Sequence, residues 1–147
     1  MAGDLIEAIA KYWGWTGLRP VAIVAENAFG NVVVMDEASR YWRIVPEDLK
    51  CRPIAENGME FERLNASADF RFDWEMSRLV AEAERKLGPL PPDRCYYLIY
   101  PSPLGGQYVA DNMAMAPRVE VVSSSGDIAN QIRHLPDGAK VQIKLVP

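Results

Sequence analysis

Between Ala68 and Leu87 the apolar residues Phe72, Met76, Leu79, Val80, Ala83 and Leu87 recur at the three- and four-residue spacing of a helical stripe, with Asp73, Glu75, Glu82, Glu84 and Arg85 on the other faces. Gly88-Pro89-Leu90-Pro91-Pro92 stops that helix, because proline lacks an amide hydrogen and restricts the residue before it. Cys95–Tyr100 resumes as a short aromatic and aliphatic run with the character of a buried strand. One long helix set between groups of short strands restricts the chain to an α+β fold, since each element needs the other to cover its apolar face.

The remaining segments fill in that outline. Leu5, Ile6, Ile9, Ala10 and Trp13, following Asp4 as a cap, describe a short amphipathic helix. Val21–Val24 reads as a strand or a buried turn. Asn31–Met35 and Arg40–Val45, joined by Asp36-Glu37-Ala38-Ser39, predict a hairpin, and Pro46 ends its second strand ahead of a third near Cys51–Ala55. Strand character returns near Tyr108 and at Asn112–Met115. Val119–Val122 fits a strand or a short helix, and Gly126-Asp127 opens a helix through Ile128, Ala129 and Ile132. A last strand is predicted over Lys140–Val146 after the Leu135-Pro136-Asp137-Gly138 turn. The expected architecture is a largely antiparallel sheet with one long central helix and shorter helices packed on it. At 147 residues, with no internal repeat, the expectation is one domain spanning 1–147.

Charge and composition remove several function classes. Sixteen basic against twenty acidic side chains leave a net charge of −4, the wrong sign for a protein that grips nucleic acid by neutralising phosphates and too mild for a mimic of DNA. The longest apolar runs, such as Val32–Met35 and Val119–Val122, fall far short of a membrane span. The first residues, Met1-Ala2-Gly3-Asp4-Leu5-Ile6-Glu7, lack a basic segment ahead of an apolar run, so a cytoplasmic location is expected. Cys51 and Cys95 form no Cys-x-x-Cys pair and read as free thiols; with a single histidine, no metal site and no cofactor are expected.

Each candidate for catalysis has a plainer explanation. His134 lies near a helix end, where an imidazole meets terminal carbonyls or solvent. Ser123-Ser124-Ser125 precedes Gly126-Asp127 in a composition typical of caps, and no Gly-x-Ser-x-Gly elbow is present. Asp73 and Glu75 stand two residues apart and do not share a helix face, while Asp111-Asn112 is turn chemistry. Gly105-Gly106 has no Gly-Lys-Ser/Thr behind it and reads as a backbone device for a turn. The rings of Trp13, Trp15, Tyr41, Trp42, Trp74, Tyr96, Tyr97, Tyr100 and Tyr108 lack the clustered cations of a single-strand platform and are assigned mostly to packing. Along Tyr41-Trp42-Arg43 alternation puts Trp42 on one side of the sheet and Tyr41 with Arg43 on the other. An aromatic or an arginine is therefore offered outward, as interface anchors are.

Five strings occur together and in order: Tyr12-Trp13-Gly14-Trp15; Asn27-Ala28-Phe29-Gly30-Asn31-Val32; Tyr41-Trp42-Arg43-Ile44 with Pro46-Glu47; Leu104-Gly105-Gly106-Gln107-Tyr108 with Asp111-Asn112; and Ser125-Gly126-Asp127-Ile128-Ala129 with Leu135-Pro136-Asp137-Gly138. In these the chain resembles the carboxy-terminal domain of type VI secretion immunity proteins, a family that includes the antidote to a secreted DNase effector. Longer relatives add an amino-terminal module similar to the GAD-like domain, which is not expected within these 147 residues. A looser likeness to the SUKH immunity superfamily runs through the Asn-x-Phe-Gly and hairpin region.

The resemblance implies a non-enzymatic protein that binds and neutralises a cognate toxin, such as a nuclease, in a stoichiometric complex. The family strings, rich in glycine, aromatic and turn residues, read as fold determinants. Asp36, Glu37, Glu47 and Asp48 are the carboxylates expected to complement a basic cleft, and Tyr41 and Arg43 the neighbouring contacts. An exposed strand edge offers a route to a homodimer. The alternative is a small-ligand-binding or regulatory module with a pocket of Trp and Tyr near Gly105-Gly106.

Overall fold

The computed structural model describes residues 2–142. Helix α1 (Ala2–Trp13) leads into β1 (Pro20–Glu26), β2 (Val32–Asp36), β3 (Tyr41–Val45) and β4 (Lys50–Ala55), which pair antiparallel in that order as a four-stranded sheet. Helices α2 (Gly58–Ala66), α3 (Ala68–Glu75) and α4 (Ser77–Leu87) follow. A two-stranded antiparallel sheet, β5 (Arg94–Leu98) with β6 (Met113–Pro117), precedes the final described helix, α5 (Arg118–Ile132). The α+β class is as expected, with its strands divided between two sheets.

One face of the larger sheet carries the main core. Val32, Val34, Trp42 and Ile44 point to Leu5, Ile9 and Trp13 of α1 and to Val122 and Ala129 of α5. Alternation along β3 turns Arg43 the other way, toward α3. A second cluster of Phe29, Ala83, Tyr96, Leu98 and Met113 lies between α4 and the smaller sheet, with Met76, Leu79, Val80 and Leu87 packed against it.

The strings that carry the family resemblance have structural work at each of these seams. Asn27 Oδ1 accepts from the amides of Phe29 and Asn31, shaping the turn between β1 and β2. From that turn the Ala28 carbonyl accepts the Tyr96 amide at 2.8 Å, which ties the two sheets together. Gly30 sits there at φ +74, and a Cβ would lie 3.0 Å from Cys95 Sγ and 3.3 Å from Val121, so glycine meets both a conformational and a steric demand. Gly126 is buried inside α5, where a Cβ would meet the Tyr12 carbonyl at 2.6 Å.

Four expectations are corrected. The helical stretch Ala68–Leu87 is interrupted at Met76, which adopts φ 48 and ψ 39, so α3 and α4 take its place. Asn27 Nδ2 donates to the Trp74 carbonyl at 2.9 Å, satisfying an orphan acceptor at the end of α3, while the Met76 side chain turns into the second cluster. Val119–Val122 takes the helical one of its two readings, and α5 runs on through Gly126, where a helix start was expected; glycine is needed there because α1 approaches too closely for any side chain. Tyr108 lies outside the strands, and α2, for which no element was predicted, covers residues 58–66. Of the predicted last strand, 140–142 have no regular structure and the remainder lies outside the described residues.

Candidate functional site

The hairpin residues expected at an interface are mostly occupied within the chain. Asp36, 4% exposed, accepts from Trp42 Nε1 at 2.8 Å, from the amides of Ala38 and Arg40, and from Arg40 Nε at 3.2 Å. Burial pushes its carboxyl up, but the hydrogen bonds from Trp42, Arg40 and Ala38 together with the Arg40 charge outweigh it and hold it below the usual value. Tyr41 is half-buried and stacks on Phe61 of α2 with centroids 4.7 Å apart. Asp48 accepts from Ser102 Oγ at 2.6 Å and from the Tyr108 hydroxyl. Burial, then the Asp48 carboxylate, push the Tyr108 hydroxyl well above its ordinary pKa. Glu37 alone among the six stands in solvent on the hairpin turn.

Arg43 and Glu47 belong to one buried chain of polar groups. Arg43 donates to the Asn31 Oδ1 from Nε (3.1 Å) and from its second terminal nitrogen (2.9 Å), and the other terminal nitrogen meets Asp73 at 2.5 Å. Its guanidinium lies 5.1 Å from the Trp74 ring and 5.9 Å from Phe70, so α3 is seated on a cation. Asn31 then donates to Glu47 Oε1 at 2.8 Å. Burial, assisted by the Asp48 charge, raises the Glu47 carboxyl from 4.5 to about 7, against the opposing pull of its own backbone amide, Asn31 and Arg43.

The sign of that shift gives a test. Between pH 4.5 and 7 the folded chain keeps a proton that the unfolded chain has released, so this group's contribution to stability falls as pH rises through the window and levels off above it. Glu47→Gln retains the acceptor for Asn31 and carries no charge. Urea unfolding should find the variant more stable than the parent at pH 8 by on the order of 2 kcal/mol, with the gap closing toward pH 4.5. Parallel stability curves for the two proteins would refute the shift.

This chain of polar groups borders a cleft of about 570 Å³ at the junction of α3 and α4 with the end of β3 and the start of β4. Phe72, Met76, Leu79 and Val45 supply its apolar surface, and Lys50, Arg52 and Arg78 add cations to that of Arg43. Phe72 is 83% exposed, although the helical periodicity assigns it to a buried stripe. The break at Met76 accounts for this: α3 is oriented by Phe70 and Trp74 over Arg43, which turns Phe72 outward.

No residue of the cleft wall contributed by α3 and α4 was anticipated as a binding residue, since a Phe at stripe spacing reads as core. The exposed cations Lys50 and Arg52, on a strand carrying Pro53, were the available signal.

Near Gly105-Gly106 there is a second hollow, lined by Tyr100, Pro103 and Leu104 together with Gly138, Ala139, Val141 and Gln142 and containing no tryptophan. Gly106 there is a packing requirement, because a Cβ would fall 1.5 Å from the Tyr100 carbonyl oxygen. His134 is exposed beyond the end of α5, and the buried Ser125 hydroxyl donates to the Val122 carbonyl within that helix. Burial pushes the thiols of Cys51 and Cys95 up to about 11 and about 12, which keeps them protonated at neutral pH. Among the described residues, no group of three or more His, Cys, Asp or Glu side chains is placed to hold a metal, and no helix is long and apolar enough to cross a membrane.

Against known sequences, the model of the family described as "T6SS immunity protein Tdi1, C-terminal" matches residues 55–129, half of the chain. The matched segment runs from the end of β4 through α2, α3, α4 and the smaller sheet into α5, and so includes the helical wall of the cleft. No curated protein matches the chain.

Proposed function

From the premise that this chain belongs to the type VI secretion immunity family of the Tdi1 carboxy-terminal domain, we propose that it binds a cognate secreted toxin in a stoichiometric complex and so neutralises it. It does so in the cytoplasm as a single immunity-type domain, without turnover by its own side chains. The observation that carries this reading is the family match, which spans the second sheet, α2, α3, α4 and most of α5.

The chemistry of the chain agrees with binding. Its polar clusters are tied up internally: Asp36 with Trp42 and Arg40, Arg43 with Asn31 and Asp73, Asp48 with Tyr108 and Ser102. A network satisfied in this way rigidifies the surface above it, and a preorganised surface loses less entropy on association.

The test is protection together with complex formation. A type VI effector gene adjacent to this one, expressed in a sensitive host, should stop growth, and co-expression of this chain should restore it. The two proteins should co-elute at one-to-one or a simple multiple. A toxic neighbour that is neither bound nor neutralised would overturn the assignment. The second reading, a small-ligand module, is favoured by the cleft beside Arg43, while the hollow at Gly105-Gly106 has a tyrosine but no tryptophan. It predicts saturable binding of a small anion with no protection.

A further inference from the structure

Resting on the immunity reading, we propose that the cleft beside Phe72 is the surface that receives the toxin, and that the toxin presents to it a short apolar segment flanked by carboxylates. The first support is Phe72 itself. An aromatic side chain 83% exposed on a helix gains nothing from folding. Exposed aromatics beside a concave surface are the residues that dominate protein interfaces once water is excluded.

The second support is charge. The three carboxylates of the cleft are all engaged within the chain: Asp73 with Arg43, Asp48 with Tyr108 and Ser102, and Glu47, 5% exposed, with Asn31. Lys50, Arg52 and Arg78 are exposed and, among the described residues, make no salt bridge. The cleft therefore presents a positive rim around Phe72, Met76, Leu79 and Val45, although the chain as a whole is acidic. The complement of that surface is an apolar side chain seated against Phe72 with acidic neighbours reaching the three cations. This reverses the sign expected from the hairpin carboxylates. A volume of about 570 Å³ admits a few side chains, so the occupant is a segment and not a globular face.

The experiment measures affinity for the effector encoded beside this gene, using the full chain, Phe72→Ser, and the triple variant Lys50→Glu/Arg52→Glu/Arg78→Glu. All four positions are exposed, so folding should survive, and circular dichroism with a thermal melt checks that it does. Phe72→Ser should weaken binding by about 30-fold or more, as loss of an interface anchor does. The triple variant should slow association and invert its dependence on salt, so that added salt, which slows the parent, speeds the variant. Glu37→Lys, on the hairpin turn, should bind as the parent does.

Parent-like binding by both cleft variants overturns the cleft while leaving the immunity reading intact. Loss of binding with Glu37→Lys alone moves the interface to the hairpin. Failure of the unaltered chain to bind overturns the immunity reading and this inference with it. Self-association of the chain that disappears in Phe72→Ser assigns the cleft to a second copy, and retention of a single-stranded oligonucleotide by the parent but not by the triple variant assigns it to nucleic acid; either result overturns the proposal.

Discussion

Trp13→Ala should destabilise the chain by about 4 kcal/mol, the upper range for removing a buried aromatic from a packed core. Trp13 has no exposed surface, and it joins three layers at once. It shares one core cluster with Leu18, with Trp42 and Ile44 of the sheet and with Val122 of α5, while Nε1 donates to the Val122 carbonyl at 2.9 Å across 109 residues of sequence. The carbonyl keeps a partner when the indole is lost, because Ser125 Oγ also donates to it at 3.0 Å. The loss is therefore mainly one of packing, with a cavity that cannot close against the tight α1–α5 contact at Gly126. Urea unfolding should show a lower midpoint at nearly unchanged slope. A cost below about 1 kcal/mol would mean that this helix pair does not hold the sheet as described.

Arg43→Ala should cost about 3 kcal/mol, from an orphaned buried acceptor and two lost cation–aromatic contacts. Asn31, which has no exposed surface, loses both donors to its Oδ1. Phe70 and Trp74 lose the guanidinium beneath them, so α3 is released from the sheet. Asp73, 69% exposed in its side chain, returns to water at little cost. Arg43→Lys should recover little of the loss, since an ammonium cannot place two parallel donors on one oxygen and a third on a carboxylate. Hydrogen exchange localises the effect: amides of α3 should exchange faster in the variant while those of α1 keep their protection. Uniformly faster exchange would instead point to global destabilisation, without a special tie between Arg43 and α3.

The two variants also separate what was legible from what was not. The core face around Trp13 was readable because the spacing of Leu5, Ile9 and Trp13, and the alternation through Trp42 and Ile44, are local patterns that any core would use in the same way. The opposite orientation of Arg43 and Trp42 followed from the same alternation. What Arg43 does on its side was not readable. Its partners come from two distant segments, Asn31 ahead of β2 and Asp73 with Trp74 on α3, and no periodicity links them.

The carboxylates show the same divide. Asp36, Glu37, Glu47 and Asp48 are equivalent in composition, each near a turn between strands. In the fold Asp36 becomes the anchor for Trp42, Glu47 is enclosed with Asn31, Asp48 is partly covered by Tyr108 and Ser102, and Glu37 alone of the four is exposed. Whether a turn carboxylate is solvated depends on which distant segment settles over it. For Asp48 that segment lies 54 and 60 residues away.

By itself, the order of residues determined the α+β class, the hairpin from Asn31 to Val45, the helical character on either side of Met76, and kinship with the immunity family. These follow from backbone preferences and apolar periodicity, which act over a few residues, and from strings such as Asn27–Val32 whose shape is set by their own hydrogen bonds. Tertiary structure alone decided that the long helix breaks at Met76, that α5 runs unbroken past Gly126, and that Phe72 stands in solvent beside a positively rimmed cleft. In each case a contact between distant segments, Asn27 with Trp74, Tyr12 with Gly126, Arg43 with Trp74, outweighs a local preference worth about 1 kcal/mol.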